Sequence, residues 1–487
     1  MSEAAVAVPP PQVRTAGIAL RRGIVLVLMT LIVPGSAQLA HGSRRLGRIA
    51  IRVWGAILLL GLVALVLFFA NRTLILTLLG FAANPIVIQV IGWLVVALGV
   101  GWGFLALDAW RIANPRTMTG RGRAVSGVLA LVIALGLVWG SWNGRVIFAS
   151  SADLISTVME GGGETETIDG RYNILLLGGD SSAARNGVRV DSITVASIDA
   201  KTGRTILFSL PRNLQRAPFP KDSPLYEKYP DGYWCKSQEC LLNAIYTEAT
   251  NNNNKKLFKG VKNPGIVATK GAVEETLGLK INYWAIVDMD GFEALIDAVG
   301  GITLDIGKKV PMGSVNGKKG VFDWIEAGKN VHLDGYHALW FARSREYSSD
   351  YERMARQKCV MNAMLKQLDP ATVLTSFQEI AAAGKNVVKT DLPTDQIGAM
   401  LELAPKIQKI PMTSVSFVPP LIKPANPDFA KIRQIVADEI AAAEAADEAA
   451  EKATASAEPE PEPTPSASAT PKPKSNAQKL DSICKVS

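Results

Sequence analysis

The sequence predicts an α/β fold, layered α-β-α around a central mixed sheet, preceded by an α-helical transmembrane region and followed by a disordered tail. Three observations lead there. Strand-like and helix-like runs are mixed throughout residues 172–368, four long apolar runs precede residue 143, and the composition turns to Ala, Glu, Ser, Pro and Thr beyond about Ala437.

The apolar runs are Ile24 to Ala40, Val53 to Ala70, Pro85 to Leu107 and Val125 to Trp142, and a span needs roughly 20 such residues. Residues 23–143 are therefore expected to hold three full spans plus a re-entrant hairpin, because Pro34-Gly35-Ser36 breaks the first run. Residues 1–150 contain 13 arginines, no lysine and two acids, Glu3 and Asp108, a net +11 against +8 for the whole 487-residue chain. The remainder thus carries −3. The basic excess sits beside apolar runs, which disfavours nucleic acid as a partner and reads as positive-inside topology.

Arg44, Arg45, Arg48 and Arg52 mark one cytoplasmic loop, and Arg111, Arg116, Arg121 and Arg123 another. Residues 1–22 then form a cytoplasmic N-terminus and everything after Trp142 lies outside, a multi-pass cell-membrane protein with its folded domain extracytoplasmic. No charged start, short core and small-residue cleavage site coincide in the first residues, so no cleaved signal peptide is expected.

Residues 144–170, with Gly161-Gly162-Gly163, read as a linker, and the folded domain is expected over 171–436. Asn173 to Leu177 suits a buried strand that delivers Gly178, Gly179 and Asp180 at its carboxyl end. Ser192 to Asp199 and Thr205 to Leu210 are further strands, the latter ending at Pro211. Helical patterns cover Leu241 to Ala249 and Gly265 to Leu277, followed by a strand at Tyr283 to Asp288. A helix from Gly291 to Val299 stops at Gly300-Gly301, and Ile302 to Ile306 resumes as strand. Leu333 to Ala342 and Glu352 to Leu368 are amphipathic helices, and Val415 to Val418 a last edge strand. Residues 437–487, with Glu458-Pro459-Glu460-Pro461-Glu462-Pro463, offer too little apolar surface to offset ordering entropy and read as a flexible tail.

All four cysteines lie beyond residue 234, which suits an oxidising exterior. Three pairings are possible. Cys235 and Cys240 frame a short loop and are the local pair, leaving Cys359 to meet Cys484; the spacing argues against zinc. The only histidines are His41, His332 and His337, and neither a zinc-protease, a G-x-S-x-G nor a P-loop motif occurs.

What remains is a phosphate-directed set. Asp180 and Asp191 end one strand and begin the next, so adjacent strands bring them to one rim of the sheet, where α/β folds bind ligands. Two carboxylates suit Mg2+ (or Mn2+), which keeps waters and shares phosphate oxygens. Arg185, Arg189, Arg212, Arg343, Arg345, Arg353 and Arg356 supply planar forks that bind phosphate bidentately. Arg353 and Gln357 share a helix face, whereas Arg343 and Arg345 align only if the chain has left the helix. Apolar runs between them can line a slot for a lipid chain, which a membrane tether would supply at high local concentration.

In their order and spacing these motifs resemble the LytR-CpsA-Psr family of cell-wall glycopolymer ligases. The likeness runs from Asn173-Ile174-Leu175-Leu176-Leu177-Gly178-Gly179-Asp180 through Arg189-Val190-Asp191-Ser192, Ser209-Leu210-Pro211-Arg212 and Asp290-Gly291-Phe292. It continues through Leu333-Asp334-Gly335 and Ala342-Arg343-Ser344-Arg345 to Asp350, Arg353 and Arg356-Gln357. The resemblance implies a membrane-anchored, Mg-dependent phosphotransferase that moves a glycopolymer from a polyprenyl-diphosphate carrier onto peptidoglycan. It implies Asp180, Asp191 and Arg189 as catalytic residues, the two acids holding the metal. Arg189, Arg212, Arg343, Arg345, Arg353 and Gln357 would hold the diphosphate. The implied partners are the polyprenyl-diphosphate-linked glycopolymer, peptidoglycan and the lipid bilayer.

Two departures stand out. Asn213 follows Pro211-Arg212 where the family usually has Asp, and the apolar region exceeds the single span common in the family. The same residues also suit a polyprenyl-diphosphate diphosphatase with water as nucleophile, and the tether and tail suit a non-enzymatic envelope regulator.

Overall fold

The structure, a computed structural model, describes residues 11–70, 84–158, 166–180, 189–251, 253–254, 256–313, 320–367, 388–455 and 476–484. It divides into two units, Met1–Ile155 and Ser156–Ser487.

The first unit is helical: α1 (Pro11–Ile32), α2 (Ser36–His41), α3 (Arg44–Ala70), α4 (Pro85–Ile112) and α5 (Gly120–Val158). Pro34 and Gly35 break the first apolar run as expected, and Gly35 turns the chain at φ 87°. A Cβ there would lie 2.6 Å from that of Ala50, so only glycine fits. Among the described residues three segments are long and apolar enough to cross a membrane: Arg44–Leu67, Pro85–Ile112 and Gly120–Ser150. α4 and α5 approach through small residues, Gly99 against Ser141 and Gly103 against Ala134. The expected linker over 144–170 is corrected in its first half, because α5 continues to Val158. No proline interrupts that stretch, and the glycine run comes only afterwards, at residues outside the described ones.

The second unit is built on a seven-stranded mixed sheet in the order β11-β10-β3-β2-β1-β4-β9. Its strands are β1 (Arg171–Asp180), β2 (Arg189–Asp199), β3 (Thr205–Leu210), β4 (Tyr283–Asp288), β9 (Val388–Thr390), β10 (Thr413–Ser416) and β11 (Gln478–Lys479). β1 pairs antiparallel with β2 and parallel with β4. Leu175, Leu177, Ile193, Val195, Ile206 and Phe208 alternate onto one face. There they pack with α6 (Ile245–Thr250), α7 (Pro264–Leu277) and α12 (Phe429–Ala455). Ala196, Ile198 and Leu207 take the other face with residues of α10 (Asp350–Gln367), α11 (Ile397–Lys409) and α13 (Leu480–Cys484). The α-β-α layering is thus as the sequence predicts.

A third core joins α8 (Met289–Ala298), α9 (Gly335–Arg343) and α10 to two hairpin-like pairs, β5 (Ile302–Ile306) with β8 (Gly328–Leu333) and β6 (Val310–Gly313) with β7 (Val321–Ile325).

The C-terminal boundary needs correction. Residues 437–455 are the second half of α12, not a flexible tail, and residues 476–484 return to the sheet. Ile432, Ile435 and Val436 anchor the helix in the main core, and alanine, the best helix former, carries it onward. Glu439 accepts hydrogen bonds from the Asn476 and Ala477 N–H groups, and Asp447 pairs with Arg204 Nε at 2.7 Å. Residues 456–475 lie outside the described residues. β10 is accordingly not an edge strand, since it runs parallel to β3 and β11 covers its other side. Both expected disulfides are present, Cys235–Cys240 and Cys359–Cys484.

Candidate active site

The site forms where β1 and β2 lose their regular register. Gly178 faces Ser192 and Gly179 faces Val190, so Asp191 is an extra residue on β2. Such a bulge re-aims its side chain. Gly178 belongs to it sterically, because a Cβ there would stand 3.1 Å from that of Ser192.

Three arginines from three elements meet at Asp191. Arg212, two residues beyond β3, donates from Nη1 to Asp191 Oδ1 at 2.7 Å, and Arg345 reaches Oδ2 from Nη2 at 3.3 Å. Arg353 Nη1, from α10, donates to the Asp191 main-chain oxygen at 3.1 Å. The same three converge on Asp350 Oδ1: Arg212 Nε at 3.3 Å, Arg345 Nε at 3.8 Å, Arg353 Nε at 3.2 Å and Nη2 at 3.1 Å. Arg353 has only 2% of its side chain exposed, and a charge so buried requires these partners.

Burial by itself would raise the Asp191 carboxyl. The Arg212 hydrogen bond and the charges of Arg212, Arg345 and Arg353 outweigh it and hold the group below its ordinary value. Asp191 is therefore a fixed anion and a weak base.

Local structure explains the delivery of each group. α9 ends at Arg343, and Ser344 is extended at ψ 137°, so the chain has left the helix before Arg345, as aligning the two requires. Arg356 pins that exit: it donates to the main-chain oxygens of Phe341, at 2.8 Å, and Ser344. Its expected part in phosphate binding is thus replaced by a structural one.

Arg189, Arg343 and Gln357 line the same cavity as the cluster, and the Arg343 guanidinium lies 5.0 Å from the centre of the Trp340 ring. Arg189 is opposite Asp180 in the β1–β2 register. The Asp180 side chain and Arg185 lie outside the described residues.

The cavity has a volume of about 640 Å3 and runs from this polar rim into an apolar slot. Leu176, Val287, Phe292, Leu295, Leu339, Met361 and Met364 are among its walls, between the sheet and α8, α9 and α10. Five arginines line it against Asp191, Asp288 and Glu346, an excess of positive charge that suits an anionic head on an apolar chain.

Asp350 is the member that sequence reasoning left without a role. Its i,i+3 spacing to Arg353 was the available signal, but its contact with Arg212 depends on the fold. Its Oδ2 is buried and accepts no hydrogen bond among the described residues. An orphan carboxylate oxygen on an acid that shares its arginines with Asp191 suits a hard cation that also takes phosphate oxygens, although among the described residues no three acids, histidines or cysteines cluster as a metal site.

Asn213 lies apart from the cluster. It lines a second cavity, together with Arg189 and Arg212.

Known proteins are similar in sequence to this chain. A polyisoprenyl-teichoic acid-peptidoglycan teichoic acid transferase TagU of Bacillus mycoides (strain KBAB4) is 28% identical over 228 residues, 46% of this chain and 62% of the relative. A TagU of Oceanobacillus iheyensis is 30% identical over 232 residues, 47% of this chain and 61% of the relative. The chain therefore spans about three-fifths of the length of these curated relatives. Among solved structures, B. subtilis TagV is similar at 24% identity and TM-score 0.40, over 56% of this chain and 98% of that one. A TagT structure described as bound to LIIa-WTA is similar at 19% identity and TM-score 0.36, over 58% and 96%. The LytR_cpsA_psr family model matches residues 150–426, which include the bulge, the arginine cluster and the apolar slot. With more than half of its length so matched, the chain belongs to the LytR_cpsA_psr family.

Proposed function

We propose that the protein is a membrane-anchored phosphotransferase that moves a glycopolymer from a polyprenyl-diphosphate carrier onto peptidoglycan. The observation that carries this reading is the junction of an arginine cluster with an apolar slot in one cavity. Such a cavity suits a diphosphate whose one end is a long hydrocarbon. The relatives' names, which couple a polyisoprenyl-linked teichoic acid to peptidoglycan, support the same substrate class.

In this mechanism Arg189, Arg212, Arg343, Arg345, Arg353 and Gln357 hold the diphosphate, with the lipid in the slot. An acceptor hydroxyl oxygen forms a bond to the polymer-side phosphorus. The bond from that phosphorus to the bridging oxygen breaks, and polyprenyl phosphate leaves with the electron pair. The arginines stabilise the charge that grows on the transferred and departing oxygens. The hydroxyl proton passes to Asp180, through the carboxylate oxygen that would be left over from metal binding, since Asp191 is held as an anion by its arginines. Asp180, Asp191 and the Asp350 Oδ2 atom are the residues that would hold Mg2+, or Mn2+, which when bound neutralises diphosphate charge.

The three apolar helices support a multi-pass anchor, with the N-terminus cytoplasmic and the catalytic domain outside the cell. Purified protein given a polyprenyl-diphosphate saccharide, a peptidoglycan fragment and Mg2+ is expected to yield a phosphodiester-linked product, with loss of yield in EDTA and recovery on Mg2+ addition. Release of polymer phosphate with no linked product would establish a diphosphatase instead. Full activity in chelator would remove the metal.

A further inference from the structure

Arg189 and Arg212 are shared walls. They line the large cavity and also a second cavity of about 240 Å3 whose other polar walls are Asn213, Gln238, Glu239 and Asn243. None of these four belongs to the Asp191–Asp350 cluster.

The second cavity is a built one. Cys235 and Cys240 are bridged, five residues apart in sequence, and close the loop that carries Gln238 and Glu239. Gln238 holds a left-handed backbone at φ 59°, fixed by its N–H donating to the Cys235 oxygen at 3.1 Å. Just past the loop, the Leu242 N–H donates to the Leu214 oxygen at 2.9 Å and the Asn243 N–H to the Arg212 oxygen at 3.1 Å. The segment that follows the loop is thereby hydrogen-bonded to the turn that presents Arg212 and Asn213.

Chemistry and placement agree on an occupant. Three of the four polar walls are carboxamides, each able to donate and to accept, as neighbouring sugar hydroxyl and acetamido groups require. Displacement at phosphorus is in line, so nucleophile and leaving group stand on opposite sides of it. With the lipid leaving group in the apolar slot, the side of Arg189 and Arg212 away from that slot is where the nucleophile must enter. The second cavity shares those two arginines and none of the apolar walls of the slot.

We infer that the second cavity is the acceptor subsite: it takes one saccharide unit of the receiving glycan, with a hydroxyl aimed at the phosphorus between the two arginines, and the disulfide-closed loop determines which saccharide fits. This assignment rests on the phosphotransferase reading above. Asn213 and Gln238 act as positioning and specificity residues, so their removal weakens acceptor use and spares the donor.

The test uses the full-length protein in detergent, with a synthetic polyprenyl-diphosphate disaccharide as donor and a soluble peptidoglycan oligosaccharide as acceptor. Gln238→Ala and Asn213→Ala are each expected to raise the acceptor KM at least tenfold, with donor KM and donor binding unchanged within twofold. Both side chains are exposed, so the variants keep the wild-type melting temperature; the paired Cys235→Ser, Cys240→Ser variant gives the same split if it folds. Variants that transfer with an unchanged acceptor KM would overturn the subsite and leave phosphotransfer standing. A wild type that binds donor but transfers to no saccharide would instead overturn the phosphotransferase reading itself.

Discussion

Asp191 joins three arginines drawn from the turn after β3, the α9 exit and α10, so one residue gathers guanidinium forks from three segments. Asp191→Asn is expected to lower transfer by about 100-fold or more, the range found when one preorganised charge is removed, measured as initial rate at saturating donor. The pH dependence has a definite sign. The folded carboxyl lies below its ordinary value of 3.8, so on acidification the unfolded state takes up the proton first. Its stabilisation is complete above about pH 4 and fades as pH falls through the lower folded value, an acid limb that Asp191→Asn should remove in denaturation series.

Lys358 behaves oppositely. It is 3% exposed on α10, its ammonium donates to the Ser416 hydroxyl, and burial pushes its pKa down from 10.5 to about 8. A shift of that size disfavours the charged native state by roughly 3 kcal/mol at neutral pH. Lys358→Met is expected to raise unfolding free energy by roughly 1–3 kcal/mol at pH 7. The gain should shrink between pH 8 and 10.5, where the wild-type lysine sheds its proton in the folded state only. A loss of stability at pH 7 would contradict this reading. At this scale the arginines were legible because their spacing survives without a fold. Asp350 was not, since its worth comes from Arg212, far off in sequence.

Elements carry these residues to one place by irregularities as much as by regular structure. The bulge at Asp191 and the extended Ser344 each redirect a single side chain, and neither has a periodic signature. Strands β3, β4 and β5 matched their apolar runs residue for residue, whereas short strands such as β6 and β7 and the helix α11 went unread. Four- and five-residue strands whose partners are supplied late offer little pattern to recognise. The Ala-rich stretch after Ala437 was misread for a related reason: alanine buries little surface, but it prolongs a helix already anchored by Ile432, Ile435 and Val436.

The far end of the chain is held by Cys359–Cys484, which spans 125 residues and ties α13 to α10. Removing a cross-link over so long a loop costs about 5 kcal/mol in the chain-entropy account. Cys484→Ser is expected to lose about 3–5 kcal/mol of unfolding free energy and to expose residues 476–484 to protease, read by urea titration and limited digestion.

At the scale of the whole molecule, the two units have separate cores, so residues 156–487 should fold without the helices. That fragment is expected to use a short-chain, soluble donor as well as the full chain does. With donor embedded in vesicles its rate should fall by about 10- to 100-fold, because a tether raises effective concentration without new contacts. Equal rates in vesicles would mean that the helices serve another purpose.

Local pattern, charge and spacing, which need no knowledge of neighbours, were enough to specify a membrane region, an α/β layer and a family-ordered set of acids and arginines. Tertiary structure alone decided that Asp191 sits in a bulge, that Asp350 shares its arginines, that the apolar slot meets them, and that a disulfide-closed loop walls a second cavity that shares Arg189 and Arg212. Each of those facts is a meeting of segments distant in sequence, and burial and charge pairing act on distance in space rather than along the chain.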